Sequence, residues 1–179
     1  MHVLINYATK NLTLAKMISE DKIIPDLEYD EIPCADYVDS YTQDIDVDER
    51  SWLCSYFDIE DTQMDGVKKI TASGEKKEAI IKEYSAALKV MADLCEKYGY
   101  LNIYDVYLFC NVNMDDVKIC STAIDTINAV EGRCGEPCLC IADASMYERC
   151  CCGFKAISER FPIGESFYVV SNKGGSYHW

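Results

Sequence analysis

The chain has 179 residues, 31 acidic and 17 basic, and a net charge of −14 at neutral pH. This charge repels nucleic acid and anionic membranes, which excludes direct DNA or RNA binding through a basic groove. A hydrophobic fraction of 49% is too high for a disordered chain. Length and composition therefore predict a single folded domain over residues 1–179 with a substantial core.

A strand over His2 to Ala8 and a short helix containing Leu12 and Ile18 are predicted first. The N-terminal run has no positively charged leader, and the chain has no apolar stretch that could span a bilayer, so neither secretion by that route nor membrane insertion is predicted. These features predict a cytoplasmic protein.

Residues 23–65 follow and are dominated by carboxylates. We interpret this segment as an acidic elaboration that forms one face of the domain. A strand is possible at 44–48, where acidic and apolar residues alternate, and a short helix is predicted around 49–57.

The longest predicted helix runs from about Glu75 to Tyr98, with Ser73 as its N-cap and Gly99 at its end. Its apolar residues recur at helical spacing, which predicts an apolar stripe facing a core. The continuous apolar run 106–112 then has the character of a strand covered on both faces.

A second long helix is predicted from the N-cap Asn113 to about Val130, because two carboxylates stand in its first turn, where they complement the helix dipole. A buried strand is predicted at 138–142. Residues 104–143 thus form a strand, helix, strand unit suited to a parallel crossover. Residues 145–158 permit a helix, a strand or an irregular turn.

Strands at 166–170 and 176–179 flank the Asn172-Lys173-Gly174-Gly175 sequence, which predicts a C-terminal hairpin. The predicted fold class is α/β or α+β, with one mixed sheet of about four to six strands. The parallel strand, helix, strand unit is placed at its centre, and helices pack on the sheet.

The charge is concentrated between Asp26 and Asp65, where fourteen acidic residues stand against the single basic residue Arg50. In a strand at 44–48, three aspartates would share one face at spacings of about 6.6 Å, and the two apolar residues would turn inward. Such a row of carboxylates can stand in for the phosphates of a nucleic acid. The predicted centre of a partner-binding site consists of Asp44, Asp46, Asp48 and Glu49.

A flanking acidic patch is predicted at Asp58, Glu60 and Asp61, with Tyr41 and Trp52 as aromatic anchors of the kind found at interface hot spots. Like charges packed this densely repel one another, and a surface kept only for solubility does not require that cost. The competing interpretation is a plain solvated acidic face with its aromatics in the core.

Two chemical interpretations of the acidic segment are weaker. The spacing of Asp44, Asp46 and Asp48 matches the first ligands of a calcium loop, but Glu49 and Ser55 stand where that loop needs glycine and glutamate. A carboxylate active site would need convergent carboxylates, and no phosphate-binding glycine loop accompanies them. No cofactor is predicted.

The chain contains eleven cysteines, six of them within residues 134–152. Without a secretory signal they are expected to be free thiols that mostly pack as small hydrophobic residues. The alternatives are a zinc site, on which a small enzyme module could be centred, and a redox sensor. The candidate zinc ligands are Cys134, Cys138, Cys140 and Cys150.

The two histidines, His2 and His178, lie near the ends of the sequence, so no central histidine is available to activate a nucleophile. No catalytic residues are predicted. The expected function is inhibition by mimicry of DNA or RNA on a basic groove of a nucleic-acid-processing enzyme. Anti-CRISPR and anti-restriction proteins of phages share this physical character, and a toxin-immunity protein facing a basic nuclease would have a similar charge pattern.

Overall fold

A computed structural model describes residues 2–27, 36–43, 45, 47, 51–99, 113–133, 137–143 and 147–178. The described helices are α1 (Leu12–Ser19), α2 (Gly74–Tyr98), α3 (Met114–Glu131) and α4 (Gly153–Arg160), with a 3₁₀ turn at Trp52–Ser55. The strands are β1 (His2–Thr9), β2 (Asp26–Leu27), β3 (Tyr37–Thr42), β4 (Phe57–Asp61), β5 (Val67–Ala72), β6 (Cys138–Ala142), β7 (Tyr147–Cys152) and β8 (Ser166–His178).

All eight strands belong to one mixed sheet, in the order β2-β7-β6-β1-β8-β5-β4, with β3 also paired to β8. The β1–β6 and β2–β7 pairs are parallel, and the other pairs are antiparallel. The α/β class and a mixed sheet with a parallel pair are thus confirmed, and that pair joins β6 to β1; the parallel unit predicted over residues 104–143 stays a prediction. The strand predicted over 106–112 lies outside the described residues. The sheet exceeds the predicted four to six strands because the acidic segment contributes β2, β3 and β4.

Two apolar clusters pack on the two faces of the sheet. β6 shows the alternation that produces them, since Cys138 and Cys140 point to the cluster under α1, while Leu139 points to the cluster under α4. Leu14 and Ile18 of α1 close the first cluster. A strand covered on both faces has a continuous run of apolar residues. The sequence prediction of a buried strand at 138–142 is confirmed by β6.

β8 is a single strand where the sequence predicted two strands and a tight turn. The glycine-rich sequence instead coincides with a large bulge: Asn6 pairs with Gly174 and Ala8 with Val169, so five steps along β8 match two along β1. A side chain at Gly174 would collide with the Ile5 carbonyl group. The glycine is therefore needed for close approach of two strands, while the antiparallel hairpin of this half of the chain is β6–β7.

Of residues 145–158, which the sequence left open, positions 145 and 146 lie outside the described residues, 147–152 form strand β7, and 153–158 begin helix α4. The short helix predicted around 49–57 is the 3₁₀ turn, and Phe57 already belongs to β4. His2 and His178 are register partners in the β1–β8 pair.

Helices α2 and α3 pack against each other as an antiparallel pair, and two of the three predicted helix ends show the expected cap geometry. The Asn113 side chain accepts a hydrogen bond from the Asp115 amide, and Gly99 ends α2 in a left-handed conformation. Ser73 is at the N-cap position of α2 without a side-chain capping bond. The apolar stripe of α2 is only partly covered, since Ile81 is 53% and Leu88 is 44% exposed.

Asp116 joins the C-terminal end of α2 to the N-terminal end of α3. It forms an ion pair with Lys97 and accepts a hydrogen bond of 2.5 Å from the Tyr98 hydroxyl group. The pKa of Asp116 is lowered below its ordinary value, most by the hydrogen bond from Lys97 and next by the hydrogen bond from Tyr98. A carboxylate with a lowered folded-state pKa stabilises the fold above its unfolded pKa of about 4 and loses that effect as the pH falls through the folded value.

We therefore expect Asp116→Asn to lower the free energy of unfolding at pH 7, and the difference from the native chain to shrink as the pH falls through the lowered pKa of Asp116. The measurement is urea unfolding of both proteins between pH 7 and pH 2. Asp125→Asn, on the exposed part of the same helix, is the control and should leave the pH profile unchanged. A difference between Asp116→Asn and the native chain that does not shrink toward pH 2 would contradict the assignment.

Candidate functional site

Of the acidic segment, the described residues 36–65 lie along one flank of β8, whereas Asp26–Leu27 (β2) pair with β7 at the other end of the sheet. β1 occupies one edge of this strand, so β3 and β5 must both pair with the other edge, and β4 lies beyond β5. We call the described residues 36–65 on this side the acidic flank. Its carboxylates are Asp36, Asp39, Asp58, Glu60, Asp61 and Asp65.

The four residues predicted as the centre of the contact, Asp44, Asp46, Asp48 and Glu49, lie outside the described residues. The two residues between them in sequence are described and support the predicted alternation. Ile45 and Val47 are only 4% and 3% exposed, as an inward-facing apolar set requires. Neither is in a strand; the Val47 amide donates to the Ser171 carbonyl oxygen of β8 at 3.4 Å.

Val47 also lines a surface cleft of about 480 Å³ together with Asp58 and Asp61. Two lysines, Lys68 and Lys76, line the same cleft. Val47 therefore lies at the same cleft as Asp58 and Asp61, two residues of the predicted flanking patch. The described charges of the cleft are balanced, two carboxylates against two ammonium groups.

Each carboxylate of the predicted flanking patch is paired with a lysine. The cross-strand register of β4 and β5 places Glu60 opposite Lys69 and Asp61 opposite Lys68, with nitrogen to oxygen distances of 3.2 Å and 3.3 Å. Asp58 is paired with Lys76 of α2 at 2.9 Å. Exposed pairs of this kind contribute only about 0–1 kcal/mol each, so a stronger partner can displace the lysines.

The Tyr41 side chain is half-buried and bonded within the protein. Its hydroxyl group donates to Asp21 at 3.0 Å and accepts from Gln43 at 2.9 Å. Asp21 also pairs with Lys173, whose hydrogen bond, more than that of Tyr41, lowers the pKa of Asp21. Tyr41 thereby connects the end of β3 to the end of α1.

The other predicted anchor, Trp52, is in the 3₁₀ turn and packs edge-to-face on Phe154 of α4, with ring centroids 6.1 Å apart. It is half-buried at the margin of the second apolar cluster. The two anchors contact different parts of the fold, Asp21 just after α1 and Phe154 of α4, and each retains an exposed part.

At the end of the acidic flank, Asp36 contacts His178, the last described residue of β8. The Asp36 carboxylate lies 2.8 Å from the imidazole Nδ1 atom, and the Asp36 amide donates to the His178 carbonyl oxygen at 2.8 Å. Asp39 accepts a local hydrogen bond from the Tyr41 amide at 2.9 Å. These contacts hold the start of β3 against β8.

The cysteine-rich strands differ from the sequence expectation in one pair. Cys140 of β6 and Cys150 of β7 are register partners and form a disulfide, where free thiols were expected. Cross-strand register, which cannot be read from spacing, brings them together. Of the candidate zinc ligands, Cys134 lies outside the described residues, and among the described residues no cluster of three or more cysteine, histidine or acidic side chains could hold a metal ion.

Sequence reasoning missed the lysines that pair with the acidic flank. The signal that could have found them is Asp65-Gly66, a dipeptide typical of hairpin turns, between the apolar residues of 57–61 and those of 67–72. The observed register pairs Asp61 with Lys68, which centres the hairpin between Met64 and Asp65 and places the lysines of β5 opposite the carboxylates of β4. The charge of residues 26–65 considered alone therefore overstates the charge of the β4 surface.

Comparisons with protein-family models, with curated proteins and with solved structures found no match for this chain. Among the described residues, no helix has both the length and the apolar character needed to cross a membrane.

Proposed function

We propose that this chain is a cytoplasmic binding and inhibitor protein that docks on the basic groove of a nucleic-acid-processing enzyme and excludes its DNA or RNA. The observation that carries the proposal is the concentration of charge: fourteen of the 31 acidic residues lie in the forty positions 26–65, against one basic residue. Carboxylates in such a segment offer a basic groove the charge that phosphates would otherwise supply.

The geometry of the acidic flank supports this proposal in two ways. Its strands β3 and β4 lie on the same side of β8, β3 paired to it directly and β4 through β5, so the carboxylates of these strands are concentrated at this end of the sheet. Ile45 and Val47 are buried, which gives residues 44–49 an apolar attachment that does not depend on their carboxylates. Because Asp58, Glu60 and Asp61 already have lysine partners, we assign them to the margin of the contact and residues 44–49 to its centre.

The test is capture of partners from a lysate of the source cells on the immobilised full chain at about 50 mM salt. We expect a basic nucleic-acid-binding enzyme to be retained, and to be released both by added duplex DNA or RNA and by about 0.5 M salt, because exposed charge is screened. Recovery of no such enzyme, or retention that nucleic acid cannot compete, would contradict the proposal.

The purified partner then allows a quantitative comparison. Combined replacement of Asp44, Asp46 and Asp48 by asparagine should weaken binding about 10–100-fold, if each charge contributes about 0.5–1 kcal/mol. Combined replacement of Asp58, Glu60 and Asp61 by amides should have a smaller effect, because these residues are assigned to the margin of the contact, where side chains contribute less than at its centre.

A matched control removes three carboxylates elsewhere. Glu78, Glu83 and Asp93 are exposed on α2, and their combined replacement by glutamine and asparagine changes the net charge by the same amount. This variant should bind within about twofold of the native chain. Equal loss in the control and in the 44–48 variant would show that total charge, and not the acidic segment, governs binding.

A further inference from the structure

The β6–β7 hairpin places two cysteine pairs side by side on one face. Cys138 is the register partner of Cys152, and two residues along the strands Cys140 is the partner of Cys150. All four contribute to the apolar cluster under α1. Cys151 points to the opposite face, where its register partner is Leu139.

The two pairs have the same backbone geometry. The Cα atoms of Cys140 and Cys150 are 4.2 Å apart, the close spacing of a non-hydrogen-bonded pair in an antiparallel ladder. Such pairs recur every second residue, so Cys138 and Cys152 form a pair of the same kind. Their sulfur atoms lie 2.9 Å apart and share a hydrogen bond. A second disulfide can therefore form here with little movement of the backbone.

The two thiols differ in access and in acidity. Cys138 is fully buried, whereas Cys152 is half-buried and occupies the N-cap position of α4. The hydrogen bond from Cys138 lowers the pKa of the Cys152 thiol, against the opposing effect of burial. Since the thiolate is the nucleophile in disulfide exchange, Cys152 is the attacking sulfur.

We propose that Cys138 and Cys152 are a redox-active dithiol, which a small-molecule disulfide oxidises reversibly to a second cross-strand disulfide beside Cys140–Cys150. The Cys152 thiolate attacks one sulfur of the small disulfide, forms a mixed disulfide and releases one small thiolate. Cys138 then loses its proton and attacks the Cys152 sulfur, which releases the second small thiolate. Two electrons and two protons pass from the protein to the small disulfide, which becomes two thiols.

The Cys138–Cys152 pair lies at the base of the β6–β7 hairpin, and this hairpin lies next to the strand with which the acidic segment begins. The residue after Cys152, Gly153, donates its amide to the Pro137 carbonyl oxygen at 2.8 Å, which closes the base of the hairpin. β7 also pairs with β2, where the acidic segment begins. The Cys140–Cys150 disulfide already closes this loop, so a second disulfide adds little chain-entropy stabilisation. The state of the thiols is therefore a better measurement than the melting temperature.

The experiment incubates the reduced, full-length chain with glutathione at increasing ratios of the oxidised to the reduced form. Remaining thiols are alkylated, and the disulfides are assigned from the masses and fragment ions of proteolytic peptides. We expect linkage of Cys138 to Cys152 at oxidising ratios and its loss when reduced glutathione is restored. If both residues stay fully alkylated while Cys140 and Cys150 become linked, the proposal is refuted.

Three variants separate the roles of the two sulfurs. Cys138→Ser removes the resolving thiol, so a mixed disulfide of Cys152 with glutathione should accumulate at least tenfold over the native chain. Cys152→Ser should not accumulate one at the buried Cys138. Cys151→Ala, a change on the opposite face of the same strand, should oxidise like the native chain, and failure of Cys151→Ala to do so would assign the effect to damage of the hairpin.

Added Zn²⁺ distinguishes the metal alternative. Zinc alone, mixed with the reduced chain, should leave Cys138, Cys140, Cys150 and Cys152 open to alkylation at the same rate as without zinc. Protection of all four thiols by one equivalent of zinc would make this face a metal site and would overturn the redox assignment.

Discussion

Gly153→Ala is expected to destabilise the protein by more than about 3 kcal/mol or to prevent folding, because two terms add at this position. Gly153 has a φ angle of +84°, which costs a non-glycine residue about 1–2 kcal/mol. An added Cβ would also overlap the Gly132 backbone nitrogen, and would lie 2.6 Å from the Gly132 Cα atom and 2.8 Å from the Val130 carbonyl oxygen. Neighbouring backbone cannot move aside as a flexible side chain can.

Gly164→Ala is the matched control for this prediction. Gly164 has a nearly identical φ angle of +81°, but no atom lies within 4 Å of the position that a Cβ would occupy. Its replacement should cost only the conformational term, about 1–2 kcal/mol, partly offset by the reduced entropy of the unfolded chain. Urea unfolding of both variants measures the difference. Equal destabilisation would show that the contact between α3 and the start of α4 is not close-packed.

Phe161→Ala should cost about 3–5 kcal/mol and lower the melting temperature by roughly 6–20 °C. Phe161 is fully buried at the end of α4. Its ring centroid lies 5.4 Å from that of Phe57 in β4 and 4.4 Å from that of Phe167 in β8. The ring therefore joins the helix to two strands of the sheet, and its removal leaves a cavity between three elements.

Two further variants make the prediction for Phe161 specific. Phe161→Leu keeps most of the volume and should cost less than half as much as the alanine variant. Ile163→Ala, two residues further along the chain, removes a side chain that is 57% exposed and should change stability by less than about 0.5 kcal/mol. Thermal unfolding followed by circular dichroism tests all three. Similar melting temperatures for Phe161→Ala and Ile163→Ala would contradict the assignment of this core.

Elements whose signals are local could be predicted from the sequence. The bounds of α3 follow from the Asn113 cap and a left-handed glycine at its end, and β6 follows from its continuous apolar run. The burial of Ile45 and Val47 follows from alternation with acidic neighbours. In each case residues that are close in sequence supply the signal for the local structure.

The sequence prediction was incomplete where the deciding partner is distant in the chain. The glycines at 174 and 175 indicated a turn, but β1 lies so close to β8 that the same residues serve a bulge within one strand. The acidic residues of β4 indicated an uncompensated patch, but the register with β5 brings Lys68 and Lys69 opposite them. Composition reports how many charges a segment has, not which charges face each other.

The sequence by itself determined the fold class, the main helices and the concentration of negative charge in residues 26–65, because periodicity, caps and composition are properties of neighbouring residues. Only the tertiary structure decided which strands lie side by side. It pairs Cys138 with Cys152, joins Cys140 to Cys150, and brings the described residues 36–65 of the acidic segment to one flank of β8. Strand order and register depend on burying both faces of the whole sheet at once, a condition that no single segment contains.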